Sequence, residues 1–198
     1  MKFKVTALIL LIISTFSTIV AQTDNTKKIV MFGNSITFQG KWEEVLGRND
    51  VANRGVPGYT TGQLIWTIKN GLHDQPGSKI WFIEGGINDI TLGVPVERIF
   101  ENYKIAVDSL KRNHIIPVVQ STILKNNAIA DNKQVSKLNK LVKNWCVKNN
   151  VDYIDLNAFL SPNGELIKEL TTDGCHLQPQ AYKPWGEAVK KVLLKYKI

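Results

Sequence analysis

The stretch Lys28-Ile29-Val30-Met31-Phe32-Gly33-Asn34-Ser35-Ile36-Thr37 decides the fold, because it runs an apolar segment directly into a serine. A short run of large apolar residues bounded by a glycine is typical of a buried strand in a parallel sheet. A strand followed by Gly-x-Ser favours a tight turn that presents the hydroxyl at the start of a helix, where backbone N–H groups stabilise an anion. The stretch therefore allows two interpretations, a nucleophilic Ser35 or an ordinary helix cap.

Strand-like and helix-like segments alternate along the rest of the chain. The predicted strands are Ile29–Phe32, Asp50–Asn53, Ile80–Glu84, Ile115–Gln120 and Val151–Asp155. The predicted helices are Pro95–Arg112, Val135–Lys148, Pro179–Tyr196 and one capped by Thr60 that runs to Asn70 and stops at Gly71. This alternation predicts an α/β fold with a parallel sheet between two layers of helices. Ligands bind such sheets beyond the carboxyl ends of the strands.

Polar clusters follow each predicted strand at that edge. They are Ser35, Gly55, Glu84-Gly85-Gly86-Ile87-Asn88-Asp89, Gln120-Ser121-Thr122 and Asp173-Gly174-Cys175-His176. Asp173 is spaced to orient the His176 imidazole, and Asn88 offers a side-chain donor to a developing oxyanion. Gly55 offers a backbone N–H that no side chain obstructs. Taken singly, the glycine is also consistent with a plain turn and the Asn-Asp pair with a helix cap.

The chain resembles the SGNH (GDSL-type) hydrolases in four sequence blocks. They are Gly33-Asn34-Ser35-Ile36, Gly55, Gly86-Ile87-Asn88-Asp89 and Asp173-Gly174-Cys175-His176. The resemblance implies a three-layer, flavodoxin-like fold with a five-stranded parallel sheet. It also implies Ser35 as nucleophile, His176 as base and Asp173 as its partner. The implied oxyanion hole is the backbone N–H groups of Ser35 and Gly55 with the Asn88 side chain. Asn34 departs from the aspartate of the family motif, and we expect altered hydrogen bonding around the serine.

The first residues have the pattern of an export signal. Lys2 and Lys4 precede an apolar stretch, and Val20-Ala21-Gln22 offers a cleavage site, so residues 1–21 are predicted to be a signal peptide and 22–198 a single domain. We expect a secreted or periplasmic bacterial protein with no stable membrane insertion after cleavage. An uncleaved anchor is the alternative, although the apolar stretch is short of the roughly 20 residues that span a bilayer.

Charge and composition limit the kinds of molecule that the chain is expected to bind. The chain of 198 residues carries a net charge of +8, but its lysines are dispersed at helical spacing rather than interleaved with aromatic residues. A solvated helix face explains them better than a nucleic-acid surface, so we expect no nucleic-acid partner. Two cysteines and three histidines form no ligand-like cluster, so no metal and no cofactor are predicted. Cys146 and Cys175 are expected to be unpaired thiols, and the sequence does not indicate an oligomeric state.

The predicted function is hydrolysis of short-chain acyl esters, with acetyl esters of carbohydrates as the expected substrates. The resemblance points to carbohydrate and sialate O-acetylesterases and to esterases like platelet-activating-factor acetylhydrolase. Glycines at the mouth of the site and three aromatic residues, Trp42, Tyr59 and Trp185, suggest a sugar-binding surface, although aromatic residues more often pack in the core or at its rim. Two alternatives stay open: a lysophospholipase or thioesterase for longer acyl chains, and a non-catalytic glycan-binding module.

Overall fold

The computed structural model describes residues 27–198, so the predicted signal peptide lies outside the described residues. The strands are β1 (Ile29–Gly33), β2 (Val51–Gly55), β3 (Ile80–Ile83), β4 (Ile116–Gln120) and β5 (Asp152–Ile154). The α-helices are α1 (Ser35–Gln39), α2 (Trp42–Leu46), α3 (Thr61–Asp74), α4 (Ile87–Thr91), α5 (Val96–Arg112), α6 (Ile129–Lys148), α7 (Asn157–Leu160) and α8 (Tyr182–Tyr196). Two short 3₁₀-helices cover Lys168–Leu170 and Pro179–Ala181.

The sheet is entirely parallel with strand order β2-β1-β3-β4-β5, which confirms the predicted fold class. The chain moves from β1 to β2 in one direction and from β2 through β3 to β5 in the other. Right-handed crossovers therefore place the intervening helices on opposite faces. Contacts agree with this division: α3, α5 and α6 pack side by side, while α2 packs against α8.

Helices on both faces leave the central strands without access to solvent. Every residue of β1 and β3 is buried, and the fully buried Trp81 of β3 packs its ring against that of Phe32 in β1. The connections leave β1 and β3 in opposite directions, which opens a crevice at their carboxyl ends. Ser35 follows β1 and Asn88 lies in the helix after β3, so both belong to this crevice.

Two predicted helix boundaries were wrong. Helix α3 does not stop at Gly71 but continues to Asp74, because Gly71 is buried against the Trp81 ring, where a larger residue would not fit. Helix α6 begins at Ile129 rather than Val135. The Asn132 side chain anchors its first turn by bonding to the backbone N–H and carbonyl of Lys125, so apolar periodicity gives no signal there.

The remaining boundary predictions agree to within a few residues. Thr60 does cap α3, through reciprocal hydrogen bonds with Gln63. Helices α1, α2, α4 and α7 have only four or five residues each, too few for an apolar stripe, and were not predicted. In residues 27–198, no helix is both long and apolar enough to cross a bilayer.

Candidate active site

Ser35 is the first residue of α1, directly after β1. Asn34 caps this helix, since its side-chain Oδ1 accepts the Ile36 N–H at 2.8 Å. The first N–H groups of a helix have no partner inside the helix, so the turn leaves backbone donors beside the serine hydroxyl. Ser35 itself is half-buried, which leaves its hydroxyl reachable from the crevice.

His176 and Asp173 form a locally closed unit. Asp173 Oδ1 accepts the backbone N–H groups of Cys175 and His176 at 2.9 and 2.8 Å, while Oδ2 lies 2.6 Å from His176 Nδ1. Burial opposes ionisation of Asp173, but the hydrogen bonds from His176 and from these N–H groups outweigh it and hold the pKa of the carboxyl well below its ordinary value. Asp173 is therefore a carboxylate that accepts the Nδ1 proton.

The serine and histidine meet across 141 positions of sequence. Ser35 Oγ lies 2.9 Å from His176 Nε2. Since Asp173 holds the proton on Nδ1, Nε2 carries the lone pair and accepts the Ser35 hydroxyl. The structure thus brings Ser35, His176 and Asp173 into one hydrogen-bonded chain, with the imidazole in the tautomer that a general base requires.

Asn88 lies at the neighbouring strand end, in α4. Its Nδ2 donates to the Tyr59 carbonyl at 2.9 Å, which holds the amide across the crevice and leaves its second N–H free to donate. Tyr59 belongs to the loop after β2. Because β1 lies between β2 and β3, this loop reaches Asn88 by crossing the end of β1, where Ser35 is.

The backbone N–H of Gly55 does not point toward Ser35, as the predicted oxyanion hole requires. The next residue, Val56, donates its N–H to the Gly33 carbonyl of β1 at 2.8 Å, and successive N–H groups of a strand point to opposite sides. The Gly55 N–H therefore points away from β1, and it donates to Asn53 Oδ1 at 3.0 Å. This geometry disagrees with Gly55 as an oxyanion donor beside Ser35.

Gly58 offers the free N–H that Gly55 lacks. Tyr59 N donates to the Val56 carbonyl at 3.3 Å, and Gly58 has φ of 78°, which with Pro57 before it is the pattern of a type II turn. In the part of the chain described, no hydrogen bond uses the Gly58 N–H. The Pro-Gly pair is the sequence signal that could have distinguished Gly58 from Gly55, since only a glycine suits that φ.

A buried network fixes this loop to α4. Asp89 accepts the backbone N–H and hydroxyl of Thr61 at 2.8 and 2.7 Å, and Asn102 of α5 donates to the same hydroxyl at 2.9 Å. Burial raises the pKa of Asp89, while the bonds from Thr61 oppose that shift. Asp89 thereby ties the start of α3 to the helix that carries Asn88.

The polar residues at the end of β4 and directly after it connect neighbouring loops. Gln120, Ser121 and Thr122 are all buried. The Thr122 hydroxyl donates to the Gly85 carbonyl at 2.6 Å, and Ser121 Oγ accepts the Leu156 N–H at 2.9 Å. This cluster lies at the predicted sheet edge, but the hydroxyls of Ser121 and Thr122 are engaged by neighbouring loops.

Two of the three aromatic residues considered for sugar binding are core residues. Trp42 and Trp185 are buried, and their rings pack edge to face with centroids 4.9 Å apart. Neither is exposed to bind a sugar, which corrects that expectation. Tyr59 is half-buried beside Asn88 and remains at the crevice. Cys146 and Cys175 are both free thiols, as predicted.

The parallel sheet has a crevice where its connections diverge, and the Ser-His-Asp chain at that crevice has the geometry that acyl transfer by a serine nucleophile requires. Residues 31–183 match the GDSL-like Lipase/Acylhydrolase family, so the chain belongs to this family. The family assignment and the fold that the motifs predicted are both confirmed.

Two curated relatives share sequence with the chain. The N-acylneuraminate cytidylyltransferase of Streptococcus agalactiae serotype V is 31% identical over 103 residues, which are 50% of this chain but 24% of that protein. The isoamyl acetate-hydrolyzing esterase of Saccharomyces cerevisiae is 24% identical over 204 residues, covering 84% of this chain and 86% of the esterase. The chain therefore spans about a quarter of the length of the first relative and most of the second.

Solved structures share the fold at lower identity. A GDSL-like lipase of Bacteroides thetaiotaomicron VPI-5482 superposes with a TM-score of 0.76 at 19% identity, covering 86% of this chain and 89% of that one. The acetyl xylan esterase AlAXEase superposes with a TM-score of 0.71 at 17% identity, covering 83% and 98% respectively. At these identities the likeness extends to the fold alone.

Proposed function

We propose that the chain is an exported serine esterase that removes short acyl groups, chiefly acetyl, from carbohydrate hydroxyls. The observation that carries the proposal is the continuous hydrogen-bonded chain from Ser35 Oγ through His176 to Asp173. A nucleophile in contact with a base that is itself oriented by a carboxylate is the arrangement required for acyl transfer.

In the proposed reaction, Ser35 Oγ attacks the ester carbonyl carbon while His176 Nε2 takes its proton. The tetrahedral intermediate collapses as His176 returns that proton to the departing alcohol oxygen, leaving an acyl-Ser35 ester. Water, deprotonated by the same Nε2, then attacks the acyl carbon. The bond from the acyl carbon to Ser35 Oγ breaks, Nε2 returns its proton to Oγ, and the carboxylic acid is released. Asp173 stays ionised throughout and stabilises the imidazolium.

The oxyanion needs donors on the side of the carbonyl away from His176. We assign this role to the backbone N–H groups of Ser35 and Gly58 and to the free N–H of the Asn88 amide. The support is that Gly58 lies on the loop that crosses the end of β1, and that Asn88 of α4 is bonded to this loop at the Tyr59 carbonyl. Each has a donor without a partner among residues 27–198. Each such donor is typically worth about 3–4 kcal/mol of transition-state stabilisation.

The names of similar proteins support the choice of a short acyl group and a sugar. The yeast relative hydrolyses isoamyl acetate, and one structural neighbour is an acetyl xylan esterase. The streptococcal relative acts on an N-acylneuraminate, although the chain matches only 24% of it. Residues 1–21 support export through their charged and apolar pattern.

A cleft beside the site favours a second candidate, an esterase for longer acyl chains such as a lysophospholipase or thioesterase. The cleft has a volume of about 370 Å³ and lies between α1, α2 and the segment that follows His176. Val45, Leu177, Pro179 and Tyr182 line an apolar part of it, and the remaining lining residues are polar or charged: Gln39, Lys41 and Glu44. An acyl chain longer than acetyl could occupy it.

The test compares hydrolysis of p-nitrophenyl esters from acetate to octanoate, and of O-acetylated sugars, by the mature protein, Ser35→Ala and Ser136→Ala. Ser136 is an exposed serine of α6, so its variant controls for the substitution itself. We expect the Ser136 variant to match the wild type and the Ser35 variant to lose turnover. Equal rates in all three proteins would refute the mechanism, and faster turnover of octanoate than acetate would select the second candidate.

A further inference from the structure

Glu84 is a buried carboxyl group that the proposed reaction does not use. It follows β3, and its side chain is fully buried beneath the turn that carries Ser35. The Thr37 hydroxyl of α1 donates to Glu84 Oε2 at 3.2 Å. Burial raises the pKa of Glu84 to about 7, against the opposing effect of hydrogen bonds from Thr37 and Asn34.

Asn34 faces this carboxyl with two donors. Its Oδ1 is engaged as the cap of α1, which leaves Nδ2 buried without a partner at full hydrogen-bond geometry. Glu84 Oε1 is buried without such a partner as well. Asn34 follows β1 and Glu84 follows the adjacent strand β3, so a buried donor and a buried acceptor, each without a partner, lie at neighbouring strand ends. Hydrogen bonding by the side chain and backbone N–H of Asn34 lowers the Glu84 pKa.

The backbone is shaped to allow this close approach. A Cβ atom on Gly33 would lie 2.7 Å from the Glu84 carbonyl oxygen and would collide with Thr37 Oγ1. A glycine at position 33 therefore allows the serine turn to pack directly against the backbone of Glu84. The carboxyl accepts the hydroxyl of Thr37, which follows Ser35 and Ile36 in the chain, and the Asn34 amide precedes them.

Within residues 27–198, no positive charge compensates Glu84. The titratable groups that interact with it are Tyr103 of α5, Tyr182 of α8 and Cys175 of the histidine loop. For each, burial is the main cause of a raised pKa and the Glu84 charge adds to it, so all three are neutral near neutral pH. No lysine, arginine or histidine of the described chain is among the groups that shift the Glu84 pKa.

We propose that Glu84 is a positioning residue for Ser35, and that its carboxylate form holds the Asn34–Ser35 turn in the geometry that reaches His176. The inference rests on the proposed function of Ser35. A carboxylate offers only acceptors, which matches the donors of Asn34 and Thr37. Protonation adds an O–H donor to a site already filled with donors, so the Asn34 amide loses its acceptor and the turn shifts away from His176.

The test is the pH dependence of kcat/KM for p-nitrophenyl acetate in the wild type and Glu84→Gln. In the wild type the Glu84 carboxyl must be ionised in addition to the requirement for a free general base, so log(kcat/KM) plotted against pH approaches a slope of two on the acid side. The substituted amide side chain cannot ionise, so the Glu84→Gln variant keeps a slope of one. We expect its kcat to fall about 10- to 100-fold, with KM little changed.

Two further variants separate positioning from general destabilisation. Tyr103→Phe removes a buried hydrogen bond to the Gly85 carbonyl, next to Glu84, without touching the serine turn. It should lower stability and leave the acid slope at two. The double variant Asn34→Asp/Glu84→Gln exchanges the carboxylate and the amide, and it should recover activity relative to Glu84→Gln alone together with a slope of two.

A second readout does not depend on turnover. In a His176→Asn background, the backbone ¹⁵N–¹H signals of Asn34 and Ile36 should titrate with a midpoint near that of Glu84, and this titration should vanish with Glu84→Gln. A wild type that is inactive on every ester would reject the proposed function, while the amide titration would still decide whether Glu84 controls the turn. An unchanged acid slope in Glu84→Gln, or absence of the amide titration, would overturn the inference.

Discussion

The buried Glu84 carboxyl makes the stability of the fold depend on pH in a calculable way. Burial raises its pKa from an ordinary value of 4.5 to about 7. Between these values the folded protein keeps a proton that the unfolded chain has released. The free energy of unfolding therefore falls as pH rises through this interval. The whole loss is present above the pKa of the folded protein, and no loss occurs below the pKa of the unfolded chain.

The size of the effect follows from the shift. A difference of about 2.5 pH units at about 1.4 kcal/mol per unit corresponds to about 3 kcal/mol of lost stability. We expect the free energy of unfolding of the wild type to fall by this order between about pH 4.5 and pH 8, over and above the pH dependence of Glu84→Gln. Asp89, whose pKa is also raised by burial, is present in both proteins and so cancels in the difference.

Urea denaturation followed by tryptophan fluorescence at several pH values measures this difference. The absolute stabilities of the two proteins are not the readout, because the Glu84→Gln substitution changes local hydrogen bonds at every pH. The readout is the change with pH of their difference in unfolding free energy. Parallel curves for wild type and Glu84→Gln across the interval would show that Glu84 titrates alike in the folded and unfolded states, and the reasoning from burial would be refuted.

Three other substitutions probe the site. Asp173→Asn should lower kcat by about 10³–10⁴-fold in ester assays with the fold intact by circular dichroism, because His176 loses the acceptor for its Nδ1 proton; full activity would exclude Asp173. Asn88→Ala should lower kcat by about 10²–10³-fold with little change in KM, whereas a rise in KM alone would indicate a ground-state contact. Tyr182→Phe removes a buried bond to the Ile36 carbonyl at 2.6 Å and should cost about 1 kcal/mol in urea unfolding; no loss would mean that the bond is energetically neutral.

The sheet could be predicted from sequence because its central strands are wholly buried. Residues 29–33 and 80–83 are apolar on both faces, and such runs stand out against the polar loops around them. The short helices could not be predicted, because a helix of five residues shows no apolar periodicity. Helix α6 shows the same limit in its first turn, where the Asn132 side chain replaces apolar packing.

The serine, histidine and aspartate could be assigned from sequence because their spacing and strand-end positions carry the signal. The direction of the Gly55 N–H could not be predicted, because it depends on strand register, which turns that N–H away from β1. The Pro57-Gly58 turn is the sequence signal for Gly58, which is the donor proposed instead. The burial of Glu84 could not be predicted from the sequence, since it results from how the loops pack around the end of β3.

The arrangement of the site also explains how two distant segments can meet reliably. Asp173 and His176 orient each other within four residues, so their geometry requires no long-range contact. The contact of His176 with Ser35 is long-range, and two other long-range hydrogen bonds support it. The Asn126 N–H donates to the Gly174 carbonyl of the histidine loop at 2.8 Å. The Tyr182 hydroxyl, at the start of α8, donates to the carbonyl of Ile36, one residue beyond the serine. Because α8 also packs on α2, the histidine loop is held between a helix and the serine turn, and its position follows from core packing.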